Sequence, residues 1–156
     1  NYLASNLHHP CWRPDGKAIL FVRWNGRQQN IWEVNVETLK ERPLHQQHIS
    51  SVHTSYHPRK QNLVLADTYG GDFGNGLMVL DTNTGKARHL VSIPQGAGPD
   101  KQADERFPFR NFGLWFPPRK YLNEPRPVWN ADGSQVFYTS EESGRINLFV
   151  ADTSDL

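Results

Sequence analysis

The sequence predicts an all-β fold: blades of an incomplete β-propeller, each blade a four-stranded antiparallel sheet. Three observations carry this. One motif occurs three times along the 156 residues. Each copy holds two short β-rich runs joined through loops. No segment has a convincing helical period. Internal repetition at a pitch of about 40 residues, with about four strands per unit, is the signature of a propeller.

The first copy is "HPCWRPDGKAILFVRWNGRQQNIWEVNVETL", from His9; the second is "HTSYHPRKQNLVLADTYGGDFGNGLMVLDTNTG", from His53; the third is "RPVWNADGSQVFYTSEESGRINLFVADTS", from Arg126. Each opens on a basic residue. An aromatic follows three positions later: Trp12, Tyr56 and Trp129. These three are expected to pack blade against blade. A turn comes next: Pro14-Asp15-Gly16, Pro58-Arg59-Lys60 and Ala131-Asp132-Gly133. Asp-Gly turns join antiparallel strands because glycine tolerates positive φ. The runs "AILFVRW", "NLVLADTY" and "QVFYTS" then read as strands, followed after a loop by "NIWEVNV", "GLMVLDT" and "INLFVAD". They are rich in β-branched and aromatic residues and too short for helices. A further strand is expected near Glu41 in "ERPL" and near Ala87 in "ARHLVSI".

The copies start 44 and then 73 residues apart (His9 to His53, His53 to Arg126). The longer interval holds an insertion over 93–122, Gly-rich and polar at first, then aromatic and Pro-rich. It reads either as a surface loop folded on its own apolar face or as a wall over a site. The expected organisation is one propeller domain over 1–156, with blades near 7–46, 50–95 and 123–156. Three blades do not close a ring, since propellers typically have about 4–8. The remaining blades of the same chain, or other copies, are needed. The chain opens on Asn and stops just after a strand, which suggests a mature or truncated fragment.

Composition agrees with a folded β domain. Hydrophobic residues are 37%, but aromatics reach 12%, so the chain does not read as disordered. Net charge is +1, and nothing in the charge pattern calls for nucleic acid. A single cysteine, Cys11, excludes an intramolecular disulfide and a Cys-rich zinc module. No apolar run approaches the roughly 20 residues of a membrane span, and no signal peptide is evident.

Architecture decides which residues share a face. The innermost strand of a blade crosses from one face of the ring to the other, and the second strand returns. His9, His53 and Arg126 therefore sit at one mouth with Arg23-Trp24, Asp67-Thr68-Tyr69 and Ser140-Glu141. Each of the three basic residues is read either as a structural strand start or as a ligand contact. Asp67 either accepts hydrogen bonds from strand-end amides or contacts a ligand. His57, in the turn, reads as a solvated surface residue, and "HQQH" at 45–48 reads as a connecting segment rather than a metal pair. "GGDFGNG" is a poor phosphate loop without a following helix. No Gly-x-Ser-x-Gly elbow is present.

"HPCWRPDGKAILFV", "VWNADGSQVFYTS" and "GRINLFVADTS" resemble the TolB-type propeller repeat, with its Pro-x-Trp-Ser-Pro-Asp-Gly core. That repeat also occurs in the propellers of prolyl-oligopeptidase-type peptidases and of polysaccharide lyases. A narrower resemblance is to the oligogalacturonate lyase-like and ulvan lyase-like propellers. His53, Asp67-Thr68-Tyr69 and Gly144-Arg145 stand where those have a blade-opening His, an Asp-x-Tyr and a Gly-Arg. The resemblance implies β-elimination on a uronic acid polymer in the periplasm or outside the cell. In that chemistry a cation neutralises the carboxylate as charge builds, a base takes the C5 proton, and an acid protonates the leaving oxygen. On this reading His53 is the base, Tyr69 the acid or a second base, and Arg126 the planar partner of the carboxylate. His9, Asp67, Arg145 and Trp115 are expected to bind substrate, Trp115 by stacking on a sugar beside Phe107, Phe109 and Phe116. Oligogalacturonate lyases hold a divalent metal with His residues of successive blades. Arg126 stands where one such His is expected, so no metal ligand is assigned here, although the whole protein could hold a divalent metal. Two other readings stay open: a non-catalytic TolB-like protein- or carbohydrate-binding scaffold, and the propeller of a peptidase.

Overall fold

The computed structural model describes residues 7–25, 28–47, 49, 51, 53–69, 72–93, 125–140 and 147–156. They form three antiparallel sheets and no helix, so no helix is long and apolar enough to cross a membrane. The first sheet is β1 (Leu7–Trp12), β2 (Ala18–Asn25), β3 (Gln28–Asn35) and β4 (Glu41–Pro43), in that order. The second is β5 (Thr54–Tyr56), β6 (Leu63–Tyr69), β7 (Asn75–Asp81) and β8 (Lys86–Ser92), again in order. The third has three strands: β9 (Val128–Trp129), β10 (Gln135–Ser140) and β11 (Asn147–Asp152). Each sheet is a meander whose strands neighbour in space as they follow in sequence. That is the blade topology of a propeller.

Local chemistry explains the meander. Gly16 and Gly133 take φ of 71° and 80° in the Asp-Gly turns, a region most side chains avoid. Asp15 and Asp132 accept backbone N–H groups of Lys17 and Ser134, each at 2.9 Å, closing those turns. The β2–β3 register pairs Ala18 with Asn35 through to Asn25 with Gln28 without a break. The β6–β7 register is equally unbroken from Leu63–Asp81 to Tyr69–Asn75.

Strand alternation then builds two cores. In the middle sheet Val64, Ala66, Met78 and Leu80 face the first sheet and meet Leu20 and Ile31. Leu65, Leu77 and Val79 face the third sheet and meet Val136 and Tyr138. A strand buried on both faces reads as a nearly continuous apolar run, which is the character of β6 and β7.

Of the three repeat aromatics, Tyr56 and Trp129 pack into these two cores. Trp12 does not: it is 61% exposed, because no sheet among the described residues lies against its side of the first blade. A larger correction concerns His57. It is buried, not solvated; its ring lies 4.7 Å from that of Trp129, and its Nδ1 accepts backbone N–H groups of Arg59 and Lys60. The residue caps its own turn and fills the seam to the third sheet. His45 is likewise buried; Nε2 accepts the Ile31 N–H at 3.1 Å, and Nδ1 lies 2.9 Å from the Gln47 carbonyl. Burial holds the pKa of His45 below its usual value.

Candidate functional site

β5 and β6 bring His53 against Asp67. The His53 N–H donates to Asp67 Oδ1 at 2.8 Å, and His53 Nδ1 lies 2.6 Å from Asp67 Oδ2. The Asp67 N–H returns a bond to the His53 carbonyl at 3.2 Å. Tyr69, two residues along the same strand and so on the same face, donates its hydroxyl to Asp67 Oδ2 at 2.9 Å. Asp67 has no exposed surface, while His53 keeps 17% of its side chain exposed. The buried carboxylate therefore accepts from both side chains that border the mouth. Donation from Nδ1–H to Asp67 fixes the imidazole tautomer in which Nε2 carries the lone pair.

His9 reaches this group from the neighbouring sheet. Its ring centroid is 4.7 Å from that of His53, with the planes tilted by 53°. His9 is exposed and sits at a φ of 50°. In the third sheet Arg126 is also exposed and takes a φ of 44°. The two share a local cause. In the first sheet, His8 pairs with Val22 and Cys11 with Leu20, so His9 and Pro10 together oppose Phe21. In the third, the Thr139 N–H bonds the Pro125 carbonyl at 2.9 Å while Val128 pairs with Phe137, so Arg126 and Pro127 together oppose Tyr138. Proline has no N–H to give the ladder, and the strand bulges at that point. The second blade has Thr54 there, which pairs normally with Ala66. The three blade-opening residues are therefore not equivalent in backbone: His9 and Arg126 stand on bulges in the left-handed region, and His53 lies in regular register.

The structure thus brings His9, His53, Asp67 and Tyr69 together across two sheets, and it puts Arg126 at the matching start of the third. Trp115, Arg145 and the insertion aromatics lie outside the described residues. Among the described residues no three His, Cys, Asp or Glu side chains gather as metal ligands would. Reasoning from sequence alone missed the shared carboxylate; the signal for it was the Asp-x-Tyr alternation on a strand paired with one that opens at His53.

No family model matches the chain, and no curated protein matches it in sequence. Solved structures do match in shape. An oligogalacturonate lyase in complex with manganese superposes with a TM-score of 0.63 at 20% identity, over 94% of this chain and 35% of that one. An oligogalacturonate lyase from Vibrio parahaemolyticus gives 0.62 at 21% identity, over 94% and 35%. TolB from Acinetobacter baumannii gives 0.66 at 16% identity, over 96% and 30%. The chain spans about a third of the length of these relatives. At such identities the likeness establishes the fold alone: this chain forms three blades of a β-propeller.

Proposed function

We propose that the mouth around His53 binds an acidic sugar chain and cleaves it by β-elimination, within a ring completed by further blades. The observation that carries this reading is the buried Asp67 shared by His53 and Tyr69. A carboxylate that orients a histidine toward an open mouth is how folds prepare a general base. His53 Nε2 takes the proton at C5, α to the sugar carboxylate. The C5–H electron pair becomes the C4=C5 double bond, and the C4–O bond breaks with its electrons leaving on oxygen. That oxygen takes a proton back from the imidazolium. Asp67 supports this second role, since its charge stabilises the imidazolium. Tyr69 is the weaker candidate for the acid. Giving up its proton would set a phenolate against the Asp67 carboxylate 2.9 Å away. Its stronger role is to hold Asp67 in place.

Arg126 pairs with the substrate carboxylate as a planar fork, and His9 packs beside His53 on the substrate side. Trp115, as an aromatic of the insertion, and Arg145, from the resemblance to the lyase-like propellers, are assigned to substrate binding on the sequence alone. The expected setting is periplasmic or extracellular. The test is His53→Ala in the complete propeller, with unsaturated product followed by its ultraviolet absorbance on uronic acid polymers. Turnover should fall by about 10²–10⁴-fold; unchanged turnover refutes the role.

A second reading, a non-catalytic binding propeller, draws on the same carboxylate. Both Asp67 oxygens are engaged within the blade, one by the His53 backbone, which also serves to close the inner strand. Retained binding of an acidic oligosaccharide with no unsaturated product from any polymer would favour it.

A further inference from the structure

At the end of β5 opposite the mouth, His57 joins the second and third sheets. Its Nδ1 lies 3.0 Å from the Arg59 nitrogen and 2.9 Å from the Lys60 nitrogen, both N–H donors. An atom that accepts two N–H groups must carry its lone pair, so the ring is the neutral tautomer with its proton on Nε2. That edge is pressed on the third sheet. A Cβ built on Gly133 would lie 2.1 Å from Nε2 and 2.2 Å from Cε1, and the ring hydrogen-bonds the Gly133 backbone. On its other side the ring packs against Trp129.

We propose that His57 is a proton-operated clasp on its own turn: neutral, it caps the turn after β5 at the seam with the third sheet; protonated, it releases that turn. A proton on Nδ1 would point at two N–H donors, and all three contacts cannot coexist. The charges facing the ring agree with this. Arg59 and Lys60 flank it from its own turn, and Asp132 faces it from the third sheet. Burial first, then the two cations, hold its pKa below the usual histidine value, against the opposing pull of the Gly133 bond and Asp132. The clasp is therefore closed at neutral pH and opens as acid drives the ring through its lowered pKa. A cleft of about 270 Å³ lined by His57, Arg59, Lys60 and Ser134 opens beside the ring and gives the proton a route. The device lies apart from the mouth and does not depend on what the mouth binds.

Nitrogen-15 spectra of the protein between pH 7.5 and 4.5 test it. The Arg59 and Lys60 amides should shift together with a midpoint below 6.5, and their exchange protection factors should fall at least tenfold across it. His57→Asn offers an amide carbonyl that accepts the same two N–H groups without titrating, so the pH dependence at these amides should vanish. Amides that do not titrate, or that titrate identically in the Asn variant, overturn the proposal. If the variant does not fold, the ring nitrogens of the native protein decide: Nδ1 protonating together with the loss of amide protection upholds it. Nδ1 remaining unprotonated at pH 4.5, or protonating with protection intact, overturns it.

Discussion

Asp67 is the residue on which the mouth turns. It has no exposed surface and accepts from the His53 backbone, the His53 ring and the Tyr69 hydroxyl. Asp67→Asn keeps the shape but offers an NH2 group to one of these partners, so the His53 ring is free to turn to the wrong tautomer. On the proposed elimination, turnover of the complete propeller should drop by about 10²–10⁴-fold, close to the loss for His53→Ala. Substrate affinity should change much less, because Asp67 is not open to the ligand. A loss of affinity with turnover preserved would remove Asp67 from the mechanism. The shared face was legible in the sequence, since a period of two along β6 puts positions 67 and 69 together and hairpin pairing brings position 53 opposite; the bonds of both side chains to one carboxylate were not. His57 was not legible in the same way. Its place in the turn resembled that of a solvated residue, and only the seam contact with Gly133 reveals a buried one. A hint existed in the third repeat, where Asn130 occupies the same position and accepts the Gln135 N–H at 3.1 Å. Both are turn-capping side chains, and capping is a position-specific job.

At the scale of elements, the middle blade is held by two adjacent residues that face opposite ways. Tyr56 turns toward the first sheet and donates its hydroxyl to Glu33; His57 turns toward the third. Glu33 is itself buried and also receives Arg13 at 3.2 Å and Arg42 at 3.0 Å. Tyr56→Phe removes one donor from a buried carboxylate that keeps two cations, so the expected cost is about 1–3 kcal/mol. Denaturant unfolding checks it, with an unchanged slope showing that the fold itself is intact. A cost below about 0.5 kcal/mol would mean that the arginines alone satisfy Glu33. The strands themselves followed from turn chemistry and β-rich runs, including the short outer β4 and the longer β8. The bulges at His9 and Arg126 did not, since all three repeats count three residues from basic residue to aromatic. The physical difference is proline in two copies against threonine in the third, and the missing N–H alters the register.

At the scale of the whole molecule, the titrating groups set a plateau of stability against pH. His45 and His57 have lowered pKa values in the fold, so their contribution is complete above about 6.5 and is lost as pH falls through the lowered values. Asp81 and Asp132, also lowered, add a second loss below about 3.8, their unfolded value. Burial raises the pKa of Tyr56 and of Cys11, so stability falls again as pH climbs past about 9–10, where the unfolded groups ionise. Melting temperatures across pH 3–11 should trace that dome, and a maximum below pH 6 would contradict it. The open side of the third sheet sets the other whole-molecule expectation. Phe137, Leu148 and Val150 match Leu65, Leu77 and Val79 of the middle sheet in register, and the third sheet covers that second trio. Leu148 and Val150 are 68% and 51% exposed, an apolar strip with the pattern of a seam. In a propeller, a strip at this place is where the next blade packs, from the same polypeptide or another copy. Replacing Leu148 and Val150 with Asp should shift the melting temperature of the 156-residue chain by no more than roughly 2 °C, as exposed substitutions do. In the completed ring the same pair would bury two carboxylates without partners and cost several kcal/mol. Equal shifts in the two settings would show that no blade covers this face.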